Sequence, residues 1–298
     1  MPDLYKQAQD ITHTLGGKWN GRYGIACCPA HDDTHASLSI RPGDRAVIFN
    51  CYTGCTSTEV VEALKRIQIS KAPSYSVKDS ATGSINDFAA QLYRNAQANI
   101  RGTLADTYLR SRCITIHSNQ VRFDPAARYR DENNQMQRAP ALVAPYRSEA
   151  GLVAIQRTFL DPSGNKLKCK DSHGRISSKR FIGSRYGGLC RLFPPAKTLG
   201  LGEGVEEAYS TTILTDIPSW SIGGIENYAS IQIPDCVEHL VIFTQHGKPA
   251  ANAIKRGWDN LTGNGRRVTV EFPDKGGDWN DMLCKRDQQS LASSTGAA

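Results

Sequence analysis

"TLGLGEGVEEAYSTTIL", residues 198–214, is a short apolar run that ends on Glu203 and Gly204 and passes at once into a stretch of helical composition. It predicts a core strand, a turn whose glycine keeps a side chain out of the way, and a helix. The alternation continues through "PSWSIGG" (218–224), "HLVIF" (239–243), "AANAIKRGWDNL" (250–261) and "RRVTVEF" (266–272). Strands alternating with helices imply an open, mostly parallel sheet with helices on its faces. This α/β region takes residues 197–285, and 286–298 reads as a flexible tail.

Toward the N-terminus the pattern changes. Residues 119–196 form a basic, β-rich subdomain with short strands in "ALVAPY", "LVAIQRTFL" and "KRFIG" and a turn at "DPSGN". Residues 85–118 read as a helical segment: Ser84 with Asp87 resembles a capping box, Phe88, Leu92, Ala96 and Ile100 recur at helical spacing, and Thr103 is placed to cap a second helix through Leu109. The Ser, Lys and Pro-rich stretch 70–84 reads as a linker. Residues 1–69 hold closely spaced Cys and His, a strand at "AVIF" and a helix at "STEVVEALKRI". The fold class expected is therefore α+β and multidomain, beginning with a small zinc-ribbon-like module.

Composition bounds the rest. A chain of 298 residues with 39% hydrophobic and 22% charged residues is that of a globular protein, not a disordered or membrane-spanning one. The start "MPDLYKQAQDITHTL" lacks the continuous apolar segment of a secretory signal, which points to the cytoplasm. Nine cysteines there stay reduced, so metal ligation competes with plain burial as their explanation. A formal charge of +7 permits a polyanionic partner.

Cys28 and His31 make a C-x2-H pair, and Cys51 and Cys55 a C-x3-C pair, with nineteen residues between the two pairs. Two such clips on tight turns, joined by a hairpin, suit a tetrahedral zinc ion with no open position, which makes the zinc structural. Pro29 stiffens the first turn and Gly54 lets the second close. Cys27 competes with Cys28 for the site, and His35 with His31. Cys113, Cys169, Cys190, Cys236 and Cys284 stand alone and are expected to be buried apolar residues.

The zinc motif followed in order by "GTLADTYLRSR", "RFDP", "PALVAPY", "IQRTFL", "GLGEG" and "DWNDML" resembles the bacterial, phage and plasmid primases that carry a CHC2-type zinc finger and a Toprim domain. The resemblance implies synthesis of RNA primers on single-stranded DNA from ribonucleoside triphosphates, with Mg2+ or Mn2+ at the Toprim site and a possible replicative helicase as partner. It implies that Glu203 acts as general acid or base and that Asp278, Asn280 and Asp281 belong to the last Toprim motif, with Asp278 and Asp281 holding metal. Glu206 and Glu207 are read instead as a polar helix face. The family's Asp-x-Asp falls on Gln245-His246-Gly247, in "VIFTQHGKPA" (241–250), where no carboxylate is present. An amide oxygen is a weak ligand for a hard cation and imidazole a poor one for magnesium. The substitution implies weak metal binding and slow or absent primer synthesis, with Lys248 as a candidate electrostatic substitute.

Between residues 147 and 191 lie Arg147, Arg157, Lys166, Lys168, Lys170, Arg175, Lys179, Arg180, Arg185 and Arg191, interleaved with Phe159, Phe181 and Tyr186. Such a band suits a single strand, whose phosphates the cations neutralise and whose bases stack on the rings. Arg157, inside "IQRTFL", is the leading candidate, and Arg110 and Arg112 would extend the track. Two functions follow: a primase-like enzyme, or a catalytically degenerate Toprim protein that binds single-stranded DNA in replication or transfer of a phage or plasmid. A Toprim nuclease is a third, against which the zinc motif argues.

Overall fold

The computed structural model describes residues 3–33, 36–43, 46–51, 55, 57–67, 82–170 and 176–295. Contacts divide the chain into two compact units, Met1–Ser80 and Ala81–Ala298. The proposed linker falls on residues 70–81 outside the described ones, as do His35, Gly54 and Arg175.

The first unit comprises α1 (Leu4–Thr14), β1 (Lys18–Trp19), β2 (Gly24–Ala26), β3 (Leu38–Pro42), β4 (Val47–Cys51) and α2 (Ser57–Arg66). The strands form an antiparallel sheet in the order β1-β2-β3-β4. Along β4, Val47, Phe49 and Cys51 face inward, so strand alternation delivers a zinc-ligand candidate from the core face. The strand and helix expected at "AVIF" and "STEVVEALKRI" are present. Helix α1 was not foreseen: Asp3 caps it by accepting from the Tyr5 and Lys6 amides, and Ala8 and Ile11 enter the core with Leu38, Ile40 and Leu64. Its close packing needs Gly24, where a Cβ would lie 1.9 Å from Thr12 Oγ1.

The second unit opens with α3 (Thr82–Asn95) and α4 (Leu104–Ser111), followed by an antiparallel sheet of β5 (Arg122–Arg130), β6 (Met136–Ser148), β7 (Gly151–Phe159) and β8 (Lys179–Gly183) in that order. Next come β9 (Thr198–Gly202), α5 (Val205–Thr215), β10 (Ser219–Ser221), β11 (His239–Phe243), α6 (Lys248–Leu261), β12 (Arg267–Glu271) and α7 (Trp279–Thr295). Every pairing in this second sheet, ordered β10-β9-β11-β12, is parallel, as the strand-helix alternation predicted. One core joins α4, β6, α5 and α7 through Tyr108, Leu142, Tyr146, Val205, Tyr209 and Leu283, so packing is continuous across residues 119 and 196.

Three local expectations are corrected. Helix α3 ends at Asn95, before Ile100, and turns Ala89 and Tyr93 rather than Phe88 toward the sheet, leaving Phe88 53% exposed. It also starts at Thr82, ahead of the proposed Ser84 cap. Helix α7 runs on through residues 286–295, where a tail was expected, and Arg286 donates to the Ile213 carbonyl of α5.

Candidate functional site

In the first unit, one ligand atom each from Cys28, His31, Cys51 and Cys55 lies within 4.8 Å of the others. Tetrahedral bonding to zinc, with Zn–S near 2.3 Å, needs sulfurs about 3.8 Å apart, so a small contraction completes the site. Cys28 is buried and Cys27 exposed, which decides between them. Burial, and then the neighbouring Cys51 thiol, push the Cys28 thiol up to about 12. Clustered thiols with no cation beside them resist ionisation, and zinc is the ion that reverses this. The residues fit structural zinc, which would tie β4 and the following residues to the 28–31 turn. Asp33, which the sequence reading missed, braces that turn: its Oδ2 accepts from the Cys28 amide at 2.6 Å and from Ser37 Oγ at 2.5 Å, and lies 3.7 Å from His31 Nε2. Of the other cysteines, Cys169 and Cys190 are buried as expected, whereas Cys236 is exposed and Cys113 and Cys284 are only partly covered.

In the second unit, the turns after the parallel strands open onto a cavity of about 510 Å3. Glu203 and Gly204 follow β9, Gly223 follows β10 and Gln245 follows β11, so the cavity occupies the carboxyl end of the sheet, where open α/β sheets place their ligands. Asp278 and Asn280 close one side, and Lys166, Lys179 and Phe181 come from the antiparallel sheet and the turn beside it.

The carboxylates here have distinct occupations. Glu206, expected on a polar face, is buried: its Oε1 accepts from Tyr108 at 2.6 Å and pairs with Lys166 at 3.1 Å, and its Oε2 pairs with Lys179 at 2.9 Å. Burial alone would raise this carboxyl, but Lys179 and Lys166 outweigh it and hold Glu206 far below the usual carboxylate range. Glu207 is also buried; its Oε2 accepts from the Glu203 and Gly204 amides at 3.0 and 3.4 Å and its Oε1 from Gln245 Nε2 at 2.9 Å. Both glutamates therefore correct the polar-face reading. Helical spacing carried no sign of this, because their partners come from elements distant in sequence.

Glu203, among the described residues, has no side-chain hydrogen bond or ion pair, and burial, then the Glu226 charge, raises its carboxyl above the ordinary value. Asp278 lines the cavity with Glu203, but Asp281 is exposed outside it. The two aspartates cap α7 reciprocally: the Asp281 amide donates to Asp278 Oδ1 at 2.8 Å, and the Asp278 amide to Asp281 Oδ2 at 3.0 Å. Asn280 is buried and donates to the Arg112 carbonyl and to Ser210. Lys248 begins α6 as an exposed residue and lines no part of the cavity.

These residues do not fit a divalent-cation centre. Among the described residues the one Cys, His, Asp or Glu group close enough to share a metal is the Cys/His set of the first unit. Gln245 turns a donor, not an acceptor, toward Glu207. At Gly247 φ is +140°, a conformation that disfavours an aspartate there.

The basic band divides by strand alternation. On β8, Lys179 and Phe181 face the cavity, while Arg180 and Ile182 face a second cleft of about 750 Å3 on the other side of the antiparallel sheet. On β7, Gln156 and Arg157 divide in the same way. Arg157 is corrected as an open contact residue: it is buried, stacks over Phe159 and donates to the Arg128 carbonyl at 2.5 Å. Arg128, Arg130 and Arg138 join it and Arg180 around this cleft, with Asp124 as the sole acid lining it among the described residues. Arg185 lines the first cavity and pairs with Glu226, Lys170 pairs with Glu132, and Lys168 is exposed. Arg112 also lines the first cavity, whereas Arg110 is held by Asp106 at 3.1 Å.

A Toprim domain family model matches residues 198–289, and a domain of unknown function (DUF7146) matches residues 84–192. The chain thus carries the expected Toprim domain. No curated protein matches it significantly. Among solved structures it is similar to the zinc-binding and RNA polymerase domains of the Aquifex aeolicus primase, at 13% identity over 98% of this chain and 83% of that one, TM-score 0.46. It is also similar to a DNA primase domain from Pseudomonas aeruginosa, at 11% identity over 67% and 74% of the two chains, TM-score 0.45. The primase fragment of the bacteriophage T7 primase-helicase matches at 15% identity over 90% and 98%, TM-score 0.40. No described helix is long and apolar enough to cross a membrane.

Proposed function

With residues 198–289 belonging to the Toprim family, we propose that this chain is a primase-like protein that binds single-stranded DNA and whose Toprim cavity no longer supports metal-dependent primer synthesis. The observation that carries the reading is the arginine cleft. Arg128 and Arg138 stand directly opposite one another in the β5-β6 register, an arrangement that repulsion disfavours unless an anion joins them. Among the described residues, none of Arg128, Arg130, Arg138, Arg157 and Arg180 has an ion-pair partner within 4.0 Å. Phosphates supply the missing charge, and half-exposed Phe88 offers a surface for a base. The setting is DNA replication of a cytoplasmic mobile element, with a replicative helicase as the partner class to test first.

The test is anisotropy of a labelled single strand titrated across a salt series. Arg128→Ala with Arg138→Ala should weaken binding roughly tenfold and flatten the salt slope by about 1 to 1.5, given about 0.7 per phosphate contact on single strands. An unchanged slope would place the strand elsewhere.

A second reading, primer synthesis from ribonucleoside triphosphates with Glu203 as acid or base, is favoured by one observation: Glu203 and Asp278 share the cavity.

A further inference from the structure

The cavity at the carboxyl end of the parallel sheet is lined by Arg112, Lys166, Lys179 and Arg185 against Glu203, Glu206, Glu207 and Asp278, so its fixed charges balance without any ion. Lys179 is central to that balance. Its Nζ lies 2.9 Å from Glu206 Oε2, while Lys166 satisfies the other oxygen. A Cβ on Gly204 would be 3.5 Å from the same Nζ, so the ammonium group lies over the turn between β9 and α5 that presents Glu203. Burial opposes the Lys179 charge, but Glu206, then Glu207 and Glu203, raise its pKa above the ordinary value. Within that balance Lys166 and Lys179 both serve Glu206, and Lys179 also feels the charges of Glu207 and Glu203.

We propose that Lys179 is a tethered cation that takes the electrostatic role of a divalent metal in this cavity. A +1 ammonium held by its own side chain attracts a phosphate oxygen as a metal does, but it has no coordination site with which to act as a Lewis acid or to activate a water molecule. A cation already in place also repels a second one. The charge-balanced cavity therefore needs no bound metal, a consequence that rests on the reading above of a cavity without metal-dependent synthesis.

The test is Mn2+ binding to the full zinc-loaded chain, followed by electron paramagnetic resonance; the thiol site of the first unit is a poor match for Mn2+. Wild type should show no binding that depends on Glu203. Lys179→Met should gain at least about tenfold in Mn2+ affinity, since the balanced cavity is then left with one carboxylate in excess. Lys179→Arg should behave as wild type, and Glu203→Gln added to Lys179→Met should abolish the gain. Wild-type Mn2+ binding lost in Glu203→Gln would overturn the proposal, and this arm stands even where Lys179→Met does not fold. A folded Lys179→Met with no gain would overturn it as well. Strand anisotropy on the same zinc-loaded samples before any Mn2+ is added separates the two readings: absent strand binding with the Mn2+ gain present contradicts strand binding alone, and intact strand binding with no gain contradicts Lys179 alone.

Discussion

Glu206 shows how far a side chain's role depends on neighbours that are distant in sequence. Its carboxylate is buried, yet Tyr108, Lys166 and Lys179 reach it from outside its own helix. Removing one member of a buried ion cluster leaves the others uncompensated, and because both lysines are about one-third exposed the cost is at the low end, roughly 2 to 3 kcal/mol for Glu206→Gln. The pH dependence has a definite sign. A carboxyl depressed in the folded state stabilises the fold above its unfolded value, near 4.5, and loses that contribution as pH falls further. Glu203 and Glu207, raised by burial, act in the opposite sense, favouring the fold at low pH and losing that contribution as pH rises through their folded values. Urea unfolding from pH 7 downward should therefore show a shallower acid loss in Glu206→Gln than in wild type, and an equally steep loss would deny the clamp. Arg157 tells the same story from the basic side: its motif was visible in the sequence, its burial was not. Arg157→Ala should cost about 1 to 3 kcal/mol of stability in the same unfolding assay, because a stacked, hydrogen-bonded guanidinium leaves a gap in the sheet.

Strand and helix periodicity was legible wherever local pattern sufficed. The parallel sheet, the β7-β8 region and α2 were all foreseen from alternation and helical spacing. The basic band was misread as one track because strand alternation sends Lys179 and Arg180 to opposite faces, information that the linear order of charges does not carry. Helix α1 was missed although its apolar stripe was legible: Leu4, Ala8, Ile11 and Leu15 recur at helical spacing and all join the first core. The capping of α7 supplies a discriminating variant. Asp281→Ala should lower stability by about 1 kcal/mol, as loss of a cap does, and leave Mn2+ binding and strand affinity as in wild type. A loss of strand affinity without a loss of stability would return Asp281 to the site. At the start of α6, Gly247→Asp should destabilise by about 1 to 3 kcal/mol through its positive φ, while Gln245→Asp should fold normally; thermal melts of the two variants compare them directly.

The chain as a whole is a small unit with a Cys/His set that fits zinc and a larger Toprim-bearing unit, each with its own hydrophobic core. Zinc removal should therefore abolish the first unit's cooperative melting transition and leave that of the second in place, as read by calorimetry with and without chelator. Loss of both together would mean that the units do not fold independently. The convergence of Cys28, His31, Cys51 and Cys55 was legible in the sequence because metal geometry imposes its own spacing. The state of the Toprim cavity was legible only in part: Gln245 marked a missing carboxylate, but its donation to Glu207 and the arrival of Lys179 depend on the folded chain. Primer synthesis on single-stranded DNA with labelled ribonucleotides, in Mg2+ and in Mn2+, bears on all of this most directly. The predicted result is no extended product from a protein that retains the strand; a product that disappears in Glu203→Ala would show that this cavity still catalyses nucleotidyl transfer.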